Sequence, residues 1–156
     1  MKVLGVVGWK DSGKTTLTIK LVEELSRRGY AVATLKHSHS SRQMDVEGTD
    51  TFRHAQAGAR TVTLVGDEGW SQVRHGEPVN IDTLPLLCEG ADFVVAEGFK
   101  RSPWSKIACV PDDDLSILGA ASNVVALAHG TVRPNVELSS FSRDDPASIL
   151  DYWLER

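Results

Sequence analysis

The chain is poor in several features that would assign it to large classes. Its 2 cysteines, Cys88 and Cys109, lie far apart and form no C-x-x-C pair, so both read as buried free thiols rather than metal ligands. No run of about 18 apolar residues occurs, which excludes a membrane-spanning helix, and Met1 leads straight into a strand without a signal-peptide layout. The expectation is a cytoplasmic protein with no membrane partner. Lysine and arginine are scattered, and the formal net charge is −4, which argues against a chain whose main task is holding nucleic acid. Internal repeats, linkers and low-complexity tracts are absent. The remainder, 41% hydrophobic and 24% charged over 156 residues, is the make-up of a single globular domain, residues 1–156, long enough to bury a core.

One stretch organises the rest. Gly8-Trp9-Lys10-Asp11-Ser12-Gly13-Lys14-Thr15-Thr16 fits G-x-x-x-x-G-K-[ST]. The apolar run from Lys2 to Val7 before it reads as a buried parallel strand. Leu17, Leu21, Val22 and Leu25 after it recur at helical spacing until Gly29. Strand, glycine loop and helix are the context a phosphate-cradling P-loop requires. Gly8 and Gly13 permit backbone angles closed to other residues, so successive N–H groups, those of Lys10, Asp11 and Ser12 among them, can ring a phosphate at a helix N-terminus. Lys14 is then expected to reach the β and γ phosphates, Thr15 to offer its hydroxyl to Mg²⁺, and Thr16 to bond the α-phosphate. A variant loop that acts across a dimer carries lysine directly after the first glycine; that position here is Trp9, with Lys10 one place later.

Ala31 to Leu35 reads as a second buried strand, and residues just beyond a strand's carboxyl end in an open α/β sheet are placed for chemistry. His37 and His39 share one face of an extended segment there. One metal or one phosphate group suits two histidines so spaced, and so do plain polar loop residues. Asp45 and Asp50 are candidates for a Mg²⁺ or water network near the γ-phosphate. A short helix is expected from Asp50 through Ala57, stopped by Gly58. Thr61 to Val65 and Trp70 to Val73 form a hairpin that would make the sheet mixed. Thr83 to Cys88 gives a short helical element with Pro85 in its first turn.

The second informative stretch is Asp92-Phe93-Val94-Val95-Ala96-Glu97-Gly98-Phe99-Lys100. Four apolar residues ending in an acid have the form of the strand that brings a carboxylate beside a P-loop, so Glu97 is the candidate to hold Mg²⁺ or orient a water, with Lys14 as its catalytic partner on the phosphates. The basic segment from Gly98 to Trp104, with Lys100 and Arg101, suits an anionic ligand or a docking partner, or is a solvated loop. Lys106 to Val110 and Val124 to Ala128 read as further strands, and Asp145-Pro146 starts a closing helix with Ile149, Leu150, Trp153 and Leu154 on one face. The predicted architecture is α/β: a three-layer P-loop fold with a mostly parallel sheet and an antiparallel hairpin portion. The guanine-reading motif N-K-x-D is absent, so base identity is unreadable from spacing.

Taken together these stretches resemble the MobB family of molybdopterin-guanine dinucleotide biosynthesis adaptors. The resemblance rests on the P-loop through Leu17, on Lys36-His37 with His39, on Gly48 through Ala59, on Glu97-Gly98-Phe99-Lys100 with Lys106-Ile107, and on Asp144-Asp145-Pro146. The family often has lysine where this chain has Thr49, and a further histidine where it has Ser38 or Ser40. The resemblance implies a homodimer that binds GTP with Mg²⁺, hydrolyses it weakly, and assists the guanylyltransferase that attaches GMP to molybdopterin, with molybdopterin itself a candidate ligand. Two other classes share the motif: a small-molecule kinase, which would need an arginine-rich lid, and a metal-delivering GTPase, which would need a richer Cys or His motif than His37-x-His39.

Overall fold

The structure is a computed structural model that describes residues 1–38, 45–76, 80–111, 114–131 and 133–156. It divides into two compact units, Met1–His37 with Ile81–Arg156, and Ser38–Asn80. No helix among the described residues is long and apolar enough to cross a membrane.

The first unit is built on a parallel sheet. Its strands are β1 (Lys2–Val7), β2 (Val32–Lys36), β5 (Phe93–Glu97), β6 (Ser105–Val110), β7 (Val124–His129) and β8 (Ser140–Ser142), in spatial order β2-β5-β1-β6-β7-β8. Every neighbouring pair in this sheet is parallel. Apolar runs fill the central strands because both faces are covered: all five residues of β5 are buried. Alternate side chains go to opposite faces. Leu4, Val6, Phe93, Val95, Ile107 and Cys109 pack with Leu17, Leu21 and Leu25 of α1 (Lys14–Arg27) and with Ile149, Leu150 and Trp153 of α4 (Pro146–Leu154). Val7, Ala108, Val110 and Leu127 form a separate cluster with Ile117 of α3 (Ile117–Ala120). Helix, sheet and helix make the three layers of a P-loop nucleotidase fold.

Local chemistry sets the helix ends. Leu17, Leu21 and Leu25 recur every four residues and give α1 one buried stripe. Gly29, at φ 88°, ends it in a left-handed cap, with Gly29 N–H bonded to Ser26 O and Tyr30 N–H to Leu25 O. Asp145 caps α4, its Oδ1 accepting from the Ser148 N–H at 3.0 Å, with Pro146 in the first turn. Arg28 bridges the two helices through Asp151 at 2.6 Å.

The second unit holds α2 (Asp50–Gln56), β3 (Thr61–Gly66) and β4 (Gly69–Arg74). Thr49 caps α2, accepting from the Phe52 N–H at 3.3 Å. The hairpin forms as expected, but β3 and β4 make a two-stranded sheet of their own, and the six-stranded sheet is parallel throughout rather than mixed. The physical reason is burial: Val62 is the one residue of β3 that is buried, so these strands lack the two apolar faces a central strand needs. Two elements have no signal in the sequence, α3 and β8, four and three residues long. Cys109 is buried as expected, and Cys88 is only half-buried, after the short 3₁₀ turn Leu84–Leu87.

Candidate functional site

In this strand order β1 runs on through α1 to β2 on one side, while its neighbour β6 runs on to β7 on the other, so the connections diverge at the carboxyl ends of β1 and β6 and open a crevice there. The loop from Gly8 to Gly13 fills that position. Asp11 and Gly13 both take left-handed backbone angles, φ 60° and 88°, and the Ser12 N–H bonds the Trp9 carbonyl at 3.3 Å, so the chain curls into a tight loop of the kind that can present backbone N–H groups to an anion. Gly8 is needed for space as well. A Cβ there would stand 2.3 Å from Ser12 Oγ and 2.8 Å from the Cys109 carbonyl. Ser12 is buried, and its Oγ has no hydrogen-bond partner among the described residues. A glycine-lined concavity at the start of a 14-residue helix fits a phosphate group, with the helix dipole favouring negative charge.

Register brings the acid to this loop. Glu97 lies opposite Val6 on one side and Lys36 on the other. Phe93 and Val95 point to the α1 face, and the period of two sends Glu97 the same way. It meets the first turn of α1: Thr15 Oγ1 stands 3.0 and 3.1 Å from the two Glu97 carboxylate oxygens. Lys36 Nζ lies 3.1 Å from Oε1. Glu97 is 8% exposed, so this carboxylate is held by a hydroxyl and an ammonium in place of water. A hydroxyl and a carboxylate side by side are the hard oxygen donors that Mg²⁺ takes. Two such donors leave the other positions of a six-coordinate ion to phosphate oxygens and water.

The remaining expected residues are distributed around this pair. Lys14 Nζ donates to the Trp9 carbonyl across the loop. Thr16 and Lys10 are exposed. Lys100 Nζ sits 3.8 Å above the Trp9 ring, and Trp9 Nε1 donates to Ser116 Oγ at 2.8 Å. Partial burial and then the charge of Lys14 lower the Lys100 pKa from its ordinary value. His37 lies just past β2, its N–H bonded to the Glu97 carbonyl at 2.9 Å and its ring 5.2 Å from that of Phe99. Gly98 is required where these segments meet, since a Cβ would lie 3.1 Å from His37 Cβ and its φ is 95°. His39 lies outside the described residues. Asp45 belongs to the second unit, where its Oδ1 accepts from the Val46 N–H and the Thr51 hydroxyl, both at 2.9 Å, in the turn before α2.

Three residues of the first unit take roles that residue order does not announce. Lys106 is wholly buried, and its ammonium donates to the carbonyls of Ser102, Trp104 and Ser122 at 2.6, 2.8 and 2.8 Å. Burial lowers its pKa, and three carbonyl dipoles hold the cation, so Lys106 pins the segment that carries Lys100. Gly5, its neighbour on β1, leaves room for the stem: a Cβ would meet Lys106 Cγ at 2.7 Å. Lys36 stands beside His37 in the sequence, but its ion pair to Glu97 exists only through the sheet. Arg143, just past β8, donates from Nη1 to the Ser12 carbonyl at 2.8 Å. No periodicity or motif marks it, because its partner is 131 positions away. Cys109, beside the loop, has its thiol pushed up to about 12, chiefly by burial, which leaves it inert as a nucleophile.

The chain is similar to known proteins along most of its length. Residues 3–130 match the family model for MobB, described as molybdopterin guanine dinucleotide synthesis protein B. The molybdopterin-guanine dinucleotide biosynthesis adapter protein of Haemophilus influenzae is 38% identical over 132 residues, 78% of this chain and 74% of that protein. A probable protein of the same description from Bacillus subtilis is 33% identical over 94% of this chain and 88% of its own length. The crystal structure of Bacillus subtilis MobB superposes with a TM-score of 0.81 at 25% identity, covering 99% of this chain and 97% of that one. A P-loop at a parallel-sheet switch point, an acid from the adjoining strand and these matches along the chain together make it a member of the MobB family.

Proposed function

We propose that this chain binds GTP with Mg²⁺ at the crevice beyond β1 and acts as an adapter in molybdopterin-guanine dinucleotide biosynthesis, assisting the guanylyltransferase that attaches GMP to molybdopterin. The observation that carries the nucleotide part is the Thr15–Glu97 pair at 3.0 Å on the first turn after the P-loop. The adapter role is supported by family membership and by the descriptions of the relatives. The choice of guanine rests on the same descriptions, since no N-K-x-D reader is present.

The protein's own groups divide the work. Backbone N–H groups of residues 10–13 and the Lys14 ammonium bind the phosphate chain; Thr15 and Glu97 hold the metal. A Mg²⁺ held by Thr15 and Glu97 would supply charge neutralisation to the phosphate chain. Lys36 balances the Glu97 charge from the β2 side, and Lys100, anchored by Lys106 and seated on Trp9, adds positive charge to the rim. Turnover by the chain alone is slow in this reading, and its effect emerges in the partner's reaction. The homodimer implied by the family is part of the same proposal.

The test mixes purified protein, GTP, Mg²⁺, molybdopterin and guanylyltransferase, and tracks dinucleotide formation at limiting GTP. Addition of this chain raises the yield. Glu97→Gln keeps the size of the side chain and lowers Mg²⁺-dependent turnover more than nucleotide affinity, because the phosphate cradle is intact. Rapid phosphoryl transfer to a small acceptor by this chain alone, or unchanged dinucleotide yield at every GTP concentration, moves the assignment to a P-loop kinase.

A further inference from the structure

Arg143 occupies an unusual position for a guanidinium. It is half-buried, its Nη1 donates to the Ser12 carbonyl at 2.8 Å, and no carboxylate among the described residues lies within ion-pair distance of it. Two glycines make way for it. A Cβ on Gly13 would stand 2.2 Å from Nη1, and one on Gly130 would stand 2.9 Å from Nη2. The Arg143 backbone is itself anchored, its N–H bonded to the His129 carbonyl at 2.9 Å at the end of β7. The guanidinium is therefore seated between the P-loop and the loop after β7, with its planar fork held by the fold.

The peptide bond gives this contact a consequence for the phosphate site. In a trans peptide the carbonyl of residue 12 and the N–H of residue 13 point in opposite directions. Fixing the Ser12 carbonyl on Arg143 fixes the Gly13 N–H on the far side of the same peptide plane. Gly13 is also the residue whose left-handed φ of 88°, open to glycine, starts α1. We propose that Arg143 is a positioning residue for the phosphate loop: it straps the Ser12–Gly13 peptide so that the cradle is formed before the phosphate chain arrives. The proposal rests on the P-loop being a phosphate site. It assigns Arg143 to the shared triphosphate, with the base left to other groups.

Arg143→Met and Arg143→Lys test it, with inorganic tripolyphosphate, GTP and ATP as probes in the presence of Mg²⁺. The Met variant loses affinity about tenfold, the scale of one charge-assisted hydrogen bond, by the same factor for all three probes, and the loss persists at high salt. Lysine, which keeps a donor and a charge at that place, recovers part of the loss. Hydrogen exchange of the unliganded protein supplies a readout that a general loss of stability would not reproduce: the amides of residues 10–14 exchange faster in the Met variant, while those of α4 are unchanged. A Met variant with wild-type affinity and wild-type exchange overturns the strap. So does a loss confined to one nucleotide with tripolyphosphate unaffected, which would make Arg143 a base contact. Wild-type protein that binds none of the three probes overturns the phosphate reading itself, a result distinguishable from the other two.

Discussion

The two units of this chain solve different physical problems. In the first, residues of β1, β5 and β6 are covered on both faces, and the long runs of buried aliphatics make a frame that holds Gly8, Thr15 and Glu97 at defined separations. In the second, the hairpin exposes its apolar side chains, Leu64 at 58%, Val65 at 74% and Trp70 at 71%. The first unit can therefore keep a nearly buried carboxylate within hydrogen-bond distance of a helix terminus, which needs low-mobility support on every side. A two-stranded sheet with few buried residues offers no such support. The difference is why Thr15 and Glu97, both of the first unit, can be held as a pair.

The sharpest way to break this contrast is by core truncation. Leu21→Ala, at a position with no exposure, costs about 2–5 kcal/mol in denaturant unfolding, whereas Leu64→Ala in the hairpin stays within about 0.5 kcal/mol. Equal costs would erase the distinction between the units. Next comes function without stability. Lys14→Ala removes the cation that the proposed function sets against the phosphates, so titration calorimetry records a tenfold or greater loss of GTP affinity, about 1.5–3 kcal/mol, with the unfolding curve unchanged. Unaltered affinity in the folded variant would refute the phosphate assignment.

The smallest effect concerns the acid limb of the first unit. Hydrogen bonds from Arg27 and then Arg28 hold the Glu24 carboxyl down to about 2 from its ordinary 4.5. A carboxylate whose folded pKa is depressed contributes stability above its unfolded pKa and loses that contribution as pH falls through the folded one. The melting temperatures of wild type and Glu24→Gln therefore differ near neutral pH and converge as pH falls from 4.5 to about 2. A constant gap across that window would show that Glu24 acts through packing alone.

Several parts of the site are legible from residue order because they depend on neighbours in the chain. Gly8 to Thr16 carries its own backbone geometry, the Leu17, Leu21 and Leu25 stripe forms α1, and a buried strand ending in Glu97 is implied by an apolar run that stops at an acid. The hairpin is legible too, but not its separation from the main sheet, because pairing partners are chosen by burial rather than by turn residues. The short β8 carries no apolar run to announce it.

By itself, then, the amino-acid order determined the local pieces: the phosphate loop, the helix caps at Gly29 and Asp145, and the acid at the end of β5. Tertiary structure decided which distant groups meet there. Lys36 comes to Glu97 through the β2–β5 register, and Arg143 to Ser12 through the strand order β1-β6-β7-β8. Such contacts join residues up to 131 positions apart, and only the closing of the sheet brings them within hydrogen-bond range.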